Sequence, residues 1–324
     1  MLLTIVNLEM EAAMQLLIAV TALLTVATLL LFTVTILLRL KHNWEDNKMR
    51  EYKDQYLPII FEYLEGNVEL SVFQNLIGSN ELKSRAIEEI AVKLIKNVEG
   101  EEAEKLKRVL MLDSLFNYHL KQLKSDSDVI KIEGCNYFRF TKLADSQVIK
   151  MLQELLESRN TYLAFSAASA LIGSESLSDR MQAIESMAKR NGMTKMALLE
   201  LFYRFRRDNK SHTEEEAAFL EKLITDENLA SKSRAQLIQC VSESNYYLMI
   251  KPLQNWLESS ADRWKESEVL AALIDAQRIF LNSESTESIK KYLDYPDKKV
   301  RKAALEAHLV LDQDQQFTFE KAIA

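Results

Sequence analysis

The sequence predicts an all-α chain: an N-terminal single transmembrane helix followed by an α-solenoid of about seven helix pairs. Three observations lead there: an uncharged run near the N-terminus, a scarcity of chain breakers, and helix pairs that recur along the rest of the chain. Only six Gly and three Pro stand in 324 residues, where average usage would give roughly 23 and 16. Folds that depend on glycine loops or many tight turns are thereby disfavoured. Hydrophobic residues at 48% and charged residues at 27% suit a globular chain with a sizeable core rather than a disordered one. The balance of 41 basic against 48 acidic residues gives −7, which sets the chain as a whole against nucleic acid. Two cysteines are no disulfide framework and fit a reducing compartment.

From Ala12 to Leu38 there are 27 consecutive residues without a charge, bounded by Glu9 and Glu11 before and by Arg39 and Lys41 after. As a helix this run measures about 40 Å, enough to cross a hydrocarbon core of about 30 Å with some tilt. A cleaved signal peptide has a basic start, a shorter apolar run and a small-residue cleavage site. Here the leading flank is acidic and the run is long, so residues 12–38 read as a retained anchor. Arg39, Lys41, Lys48, Arg50 and Lys53 follow the run, and no Lys or Arg precedes it. Positive residues stay inside. Residues 1–11 are therefore expected as a short extracytoplasmic tail, with everything after Arg39 in the cytoplasm at an inner or plasma membrane. Thr21, Thr25, Thr28 and Thr35 share a helical stripe with Met14, Ile18 and Phe32. Such a stripe offers a neighbouring membrane helix a surface to pack and hydrogen-bond against; the alternative is that the hydroxyls bond back to their own helix.

Residues 39–57 read as a juxtamembrane helical stalk, with Trp44, Tyr52 and Tyr56 as interfacial aromatics. Pro58 suits the first turn of a following helix, Ile59–Glu65, which Gly66 ends. Residues 58–311 then repeat a two-helix layout. Val148, Met151, Leu152, Leu155 and Leu156 recur at three- and four-residue spacing, Ser158–Asn160 breaks the run, and Tyr162–Ile172 forms a second, small-residue-rich helix. Similar pairs begin at Val68, Met181, Phe219, Leu248 and Ile289. The last apolar residues of the first helices, Ile77, Leu123, Leu156, Ile224, Leu257 and Leu293, are 46, 33, 68, 33 and 36 residues apart, the double gap holding the pair that starts at Met181. A two-helix unit of that period cannot bury its apolar face alone, so units stack. Glu99–Asp145 carries the pattern in degenerate form. Residues 312–324 are a tail or cap, with Phe317-Thr318-Phe319 in it.

One unit carries a family resemblance. Tyr292-Leu293-Asp294-Tyr295-Pro296-Asp297-Lys298-Lys299-Val300-Arg301-Lys302-Ala303-Ala304-Leu305 resembles a HEAT repeat, in which an Asp/Pro turn leads to a second helix opening Val-Arg-x-Ala-Ala. The resemblance implies that Asp294 and Asp297 cap that helix, that Val300 and Ala304 pack inward, and that Arg301 bonds across the turn. Lys83-Ser84-Arg85-Ala86 and Lys232-Ser233-Arg234-Ala235 are weaker echoes.

Sites for chemistry are scarce. His42, His119, His212 and His308 are each solitary; none is followed by Glu. The His-Glu pairs by which some HEAT-like enzymes hold a di-iron centre are therefore missing, and no metal or other cofactor is expected. Cys135 and Cys240 lie among apolar or small neighbours, as buried inert thiols do. No phosphate loop is present. Lys189, Arg190, Lys195, Arg204, Arg206, Arg207 and Lys210 cluster around Phe202, Tyr203 and Phe205. The cluster reads either as a patch for an acidic partner or as dipole-complementing arginines beside core aromatics. Trp256 falls on an inward stripe, whereas Trp264, in the loop 259–265, reads as an interface anchor. The expected function is a non-catalytic, membrane-anchored scaffold or adaptor for a protein partner, itself an integral membrane protein. Candidate contacts are Thr21, Thr25, Thr28, Thr35, Arg204, Arg206, Arg207 and Trp264. The layout is similar to accessory subunits beside membrane glycosyltransferases in bacterial polysaccharide systems. The alternatives are a HEAT-like enzyme of the lyase or hydroxylase type and a sensor of anionic lipid acting through Lys41–Lys53.

Overall fold

The computed structural model describes the backbone from Leu2 to Ile323 apart from residues 78–79, 142–144 and 208–213. Side chains are described from Val20 to Asp312, apart from Ala22, Arg206, Arg207 and the same gaps. Seventeen α-helices and no β-strand occur among the described residues. The chain forms two compact units, Met1–Leu115 and Phe116–Ala324, so the expected single body over residues 58–311 is divided at Leu115.

In the first unit, α1 (Leu2–Glu65) is one helix of 64 residues, about 96 Å long. This corrects the expected break between a stalk and a helix starting at Pro58. A proline inside a helix removes one hydrogen bond and costs roughly 3 kcal/mol. Here Pro58 and Asp54, whose carbonyl loses its donor, are both exposed, so water can serve that carbonyl. The opposite face buries Met49, Tyr56, Ile60 and Tyr63, and that packing holds the helix through the proline. The helix stops where Gly66 takes φ +88°, with Asn67 N–H donating to Glu62 at 2.8 Å and Gly66 N–H to Tyr63 at 3.1 Å. That pair of bonds is a Schellman ending. Next come α2 (Leu70–Leu76), α3 (Glu81–Ile95) and α4 (Glu101–Leu110). The Asn80 side chain caps α3 by accepting from Leu82 N–H at 2.8 Å. Phe73, Ile87, Leu106 and Leu110 fill the core of this unit.

The second unit follows from α5 (Asp113–Leu123), which crosses the boundary, through α6 (Asp128–Phe138), α7 (Ser146–Leu156), α8 (Thr161–Leu171), α9 (Leu177–Lys189) and α10 (Lys195–Arg207). The degenerate stretch between Glu99 and Asp145 thus holds α4, α5 and α6 among its described residues. Within it Gly134 allows a close approach: a Cβ there would stand 3.1–3.2 Å from Leu123, Gln122 and the His119 carbonyl. After α11 (Glu214–Thr225) come α12 (Ser231–Glu243), α13 (Ile250–Glu258), α14 (Asp262–Lys265), α15 (Ser267–Ile279), α16 (Thr286–Lys290) and α17 (Lys298–Ile323). The row α10, α12, α15, α17 packs each helix on the next, and α13 and α16 lie against α15 and α17.

The joints in that row repeat. After α12, Tyr246 N–H donates to Val241 at 3.1 Å and Asn245 N–H to Ser242 at 2.9 Å. After α15, Asn282 N–H donates to Gln277 at 3.0 Å and Leu281 N–H to Arg278 at 3.1 Å. Both are Schellman endings with a residue at positive φ, Asn245 at 55° and Leu281 at 53°. Each leads into a short 3-10 turn, Tyr247–Met249 or Ser283–Ser285, and then a helix of the second row. Asn tolerates that conformation through its short polar side chain; leucine does not, at a cost of roughly 1–2 kcal/mol. Leu281 is exposed, so little packing offsets the strain. Leu281→Gly should stabilise the second unit by about 1 kcal/mol and raise its Tm by about 2–4 °C. A thermal melt followed by circular dichroism reads this; a lower Tm would show that the leucine side chain holds the joint.

Candidate functional site

From Val20 to Leu38 α1 carries no charged residue. Leu23, Leu24, Leu29, Leu30, Leu31, Phe32, Leu37 and Leu38 are all exposed. The helix is long and apolar enough to cross a membrane, with a mean hydropathy of 2.3 over its most apolar 18 residues. Thr25, Thr28 and Thr35 donate their hydroxyls to the carbonyls of Thr21, Leu24 and Leu31 at 2.7–2.8 Å. Thr33, off the expected stripe, does the same to Leu29 at 2.8 Å. The protons are therefore spent inside the helix, and what the stripe offers a neighbour is its small profile and the remaining lone pairs. The side chains of Met14 and Ile18 lie outside the described residues.

Beyond the apolar half, α1 and α3 enclose a cavity of about 410 Å³ lined by His42, Asp46, Met49, Arg50, Leu82 and Arg85, among others. Lys53 pairs with Glu89 across the two helices, and Lys83 lies over the Tyr52 ring, 5.8 Å from its centroid. Residue numbers rise together on both sides, so α3 runs parallel to this part of α1 and its N-terminal end points towards the apolar half. Around the cavity Glu45 pairs with Lys41 at 3.7 Å, and Asp46 lies 3.5 Å from His42 Nε2. Arg50 and Arg85 are exposed and make no ion pair with a described side chain. Sequence reasoning missed Arg85 as a site residue. It read Lys83–Ala86 as an echo of the Arg301 turn, but Arg85 faces this groove instead, and only the α1–α3 pairing could have said so.

The described members of the basic cluster in the second unit are engaged within the chain. Arg204 donates to the carbonyls of Ser169 and Arg139, the latter at 3.0 Å, and Arg190 to those of Leu156 and Ser158 at 2.7 Å. Lys189 meets both Asp226 and Glu185 at 2.8 Å; these bonds, that to Asp226 foremost, raise its pKa and keep it charged. Lys195 bonds Glu243 at 2.9 Å. Phe202 and Phe205 are buried, and Tyr203 is exposed. Arg206 and Arg207 lie on α10, but their side chains, like Lys210, fall outside the described residues.

Trp264 is a correction. It is 4% exposed, lies on α14 rather than in a loop, and stacks on Trp256 with ring centroids 4.8 Å apart and an interplanar angle of 7°. Arg234 covers it at 5.7 Å. The two indoles bury each other, so Trp264 supports the core and offers no surface to a partner. Arg234 itself is buried and donates to the carbonyls of Ile224 at 3.0 Å and Asp226 at 2.9 Å. Arg301 repeats the geometry at Tyr295 and Pro296, both at 2.7 Å. Val300 and Ala304 are buried, and Asp297 accepts from Lys299 N–H at 2.7 Å, while Asp294 is exposed. Replacing Arg234 by Ala should cost about 2 kcal/mol, because the buried Ile224 carbonyl loses a charged donor and the half-buried Asp226 carbonyl keeps only Leu229 N–H. Lys should recover less than half, since one ammonium cannot serve both oxygens and cover the indole. Urea denaturation of the three proteins tests the order; equal stability of the Lys variant and the parent would remove the role.

Both thiols are buried, and burial pushes Cys135 and Cys240 up to about 12. Neither is poised as a nucleophile at neutral pH. In the unfolded chain a thiol ionises near pH 9, so between pH 9 and 12 the unfolded state binds fewer protons and stability falls as pH rises. Native protein should react with a maleimide at pH 7 at least about 100-fold more slowly than denatured protein. Cys135→Ala with Cys240→Ala should flatten the loss of stability above pH 9; rapid labelling of native protein would contradict the burial. No group of three or more His, Cys, Asp or Glu side chains is placed to hold a metal among the described residues.

No family model matches the chain, and no curated protein matches it. Among solved structures, the crystal structure of an engineered protein, a Northeast Structural Genomics Consortium target, aligns at 16% identity over 75% of this chain and 96% of that one, with a TM-score of 0.26. A superposition that loose constrains neither fold nor function.

Proposed function

We propose that the chain is a non-catalytic adaptor, anchored by residues 12–38 and presenting stacked helix pairs to an integral membrane protein. The observation that carries this reading is the continuity of α1. Its apolar half stands exposed, and the same uninterrupted helix supplies Met49, Tyr56, Ile60 and Tyr63 to the core of the first unit. Anchor and folded body thus share one rigid element. The excess of Lys and Arg just after the apolar run supports an N-out orientation with both units in the cytoplasm.

Stacking in the manner of a HEAT solenoid is supported by the α10, α12, α15, α17 row, by the two Schellman joints 36 residues apart, and by the Arg234 and Arg301 turns. A stacked array exposes a long surface for its size, and a tether raises its local concentration at the membrane. Among the described residues, both thiols are buried with raised pKa, and His119 stacks on Tyr137 at 3.7 Å and meets Gln122 at 2.8 Å.

The test is purification of the full chain from its native membrane in mild detergent, beside a chain beginning at Lys41. The expected result is one membrane protein recovered in a fixed ratio with the full chain and at least about tenfold less with the shortened one, as loss of the tether's effective concentration requires. Equal recovery would move the contact onto the helix pairs. A bound small molecule with no protein in fixed ratio would overturn the adaptor reading in favour of an enzyme.

A further inference from the structure

We propose that the groove between α1 and α3 binds the head group of an anionic phospholipid. The proposal rests on the anchor reading above. His42 lies four residues and Arg50 twelve residues past Leu38, about 6 and 18 Å of helix. The polar layer of a bilayer extends roughly 5–8 Å beyond the hydrocarbon on each side. A tilt that fits a 40 Å apolar run into about 30 Å lowers both heights by about a quarter. The His42 end of the groove then stands in the head-group layer, and Arg50 stands one long side chain above it.

The groove's own chemistry favours a phosphate. Its carboxylates Glu45 and Glu89 are answered by Lys41 and Lys53, and Asp46 lies beside His42. Arg50 and Arg85 remain, one on each wall, and make no ion pair with a described side chain. Because α3 runs parallel to α1, Arg85 lies near the membrane-facing end of the first unit. Two guanidinium forks match phosphate oxygens better than any other side chains. Met49 and Leu82 in the lining suit the glycerol and upper acyl carbons. The volume of about 410 Å³ admits one head group. The three carboxylates around it disfavour a polyanionic strand, which would have to pass them.

The test is reconstitution of the full chain into nanodiscs of phosphatidylcholine and phosphatidylglycerol at 3:1, release into mild detergent, and native mass spectrometry of the retained lipid. Parent protein should retain phosphatidylglycerol enriched about tenfold over the supplied ratio. With each arginine near a membrane surface contributing about a fivefold change in binding, Arg50→Gln or Arg85→Gln should each lower the enrichment to about twofold. The double variant should return it to the supplied ratio. Lys302→Gln, in the second unit, should change nothing. Either of two results overturns the proposal: no enrichment for inserted parent protein, or undiminished enrichment in the double variant with an unaltered melting curve. If the chain instead stays out of nanodiscs of phosphatidylcholine alone, the anchor reading falls and takes this one with it.

Discussion

Helix ends are the constraint around which the second unit is organised. Each α-helix leaves its last four carbonyls without an internal donor, and the usual remedy is a glycine just past the end. This chain has only six glycines. Arginine does much of the work instead. Arg190, Arg204, Arg234 and Arg301 each reach a pair of carbonyls at the end of another helix or its turn, and Arg263 reaches Thr225 at 3.0 Å. One planar fork satisfies two acceptors in a fixed geometry and ties two elements together, which a glycine cannot do. The consequence reaches function: Arg190 and Arg204, which help to make this stretch look like a binding patch, have donors already in use as internal clamps.

The first unit solves a different problem. An apolar helix half exposed to solvent on all faces has no means of burying itself, while the polar half of the same helix is held by a core. Pro58 falls where a break would separate them, yet its cost lands on the exposed Asp54 side, opposite the buried Tyr56 and Ile60. Packing on one face outweighs one lost hydrogen bond on the other. Had Pro58 been placed one or two residues away, on the face that meets α3, the ring would have displaced core side chains and the helix would have bent there.

Much of this was legible in the residues. The uncharged run announced a long apolar helix by length alone. Three- and four-residue spacing located most helices to within a few residues, because one buried face per helix is enough to leave that pattern. The Val300-Arg301 turn was readable because its parts are adjacent in sequence. What stayed hidden depends on partners distant in sequence. Trp264 sits in a short polar stretch that looks like a loop, and only Trp256 stacking on it and Arg234 over it make it core. Leu281 at positive φ breaks the rule that glycine or asparagine takes such a place, so no local signal marks that joint. The groove at Arg50 and Arg85 needs the parallel course of α3, which no periodicity encodes.

The two arginine fates separate structural from available charge. Net charge counts Arg234 and Arg85 alike, and both follow Lys-Ser in the same tetrapeptide pattern. Burial lowers the pKa of Arg234 and commits its donors to carbonyls, so its charge stabilises the turn and presents no free fork. Arg85 has the same chemistry but stands exposed on a groove and makes no ion pair with a described side chain. What distinguishes them is reach: Arg234 donates to the carbonyls of Ile224 and Asp226 at the end of α11, whereas Arg85 stands on the exposed side of α3 beside α1. Two arginines in the same tetrapeptide pattern thus carry the same formal charge, but only the one on α3 keeps its guanidinium exposed.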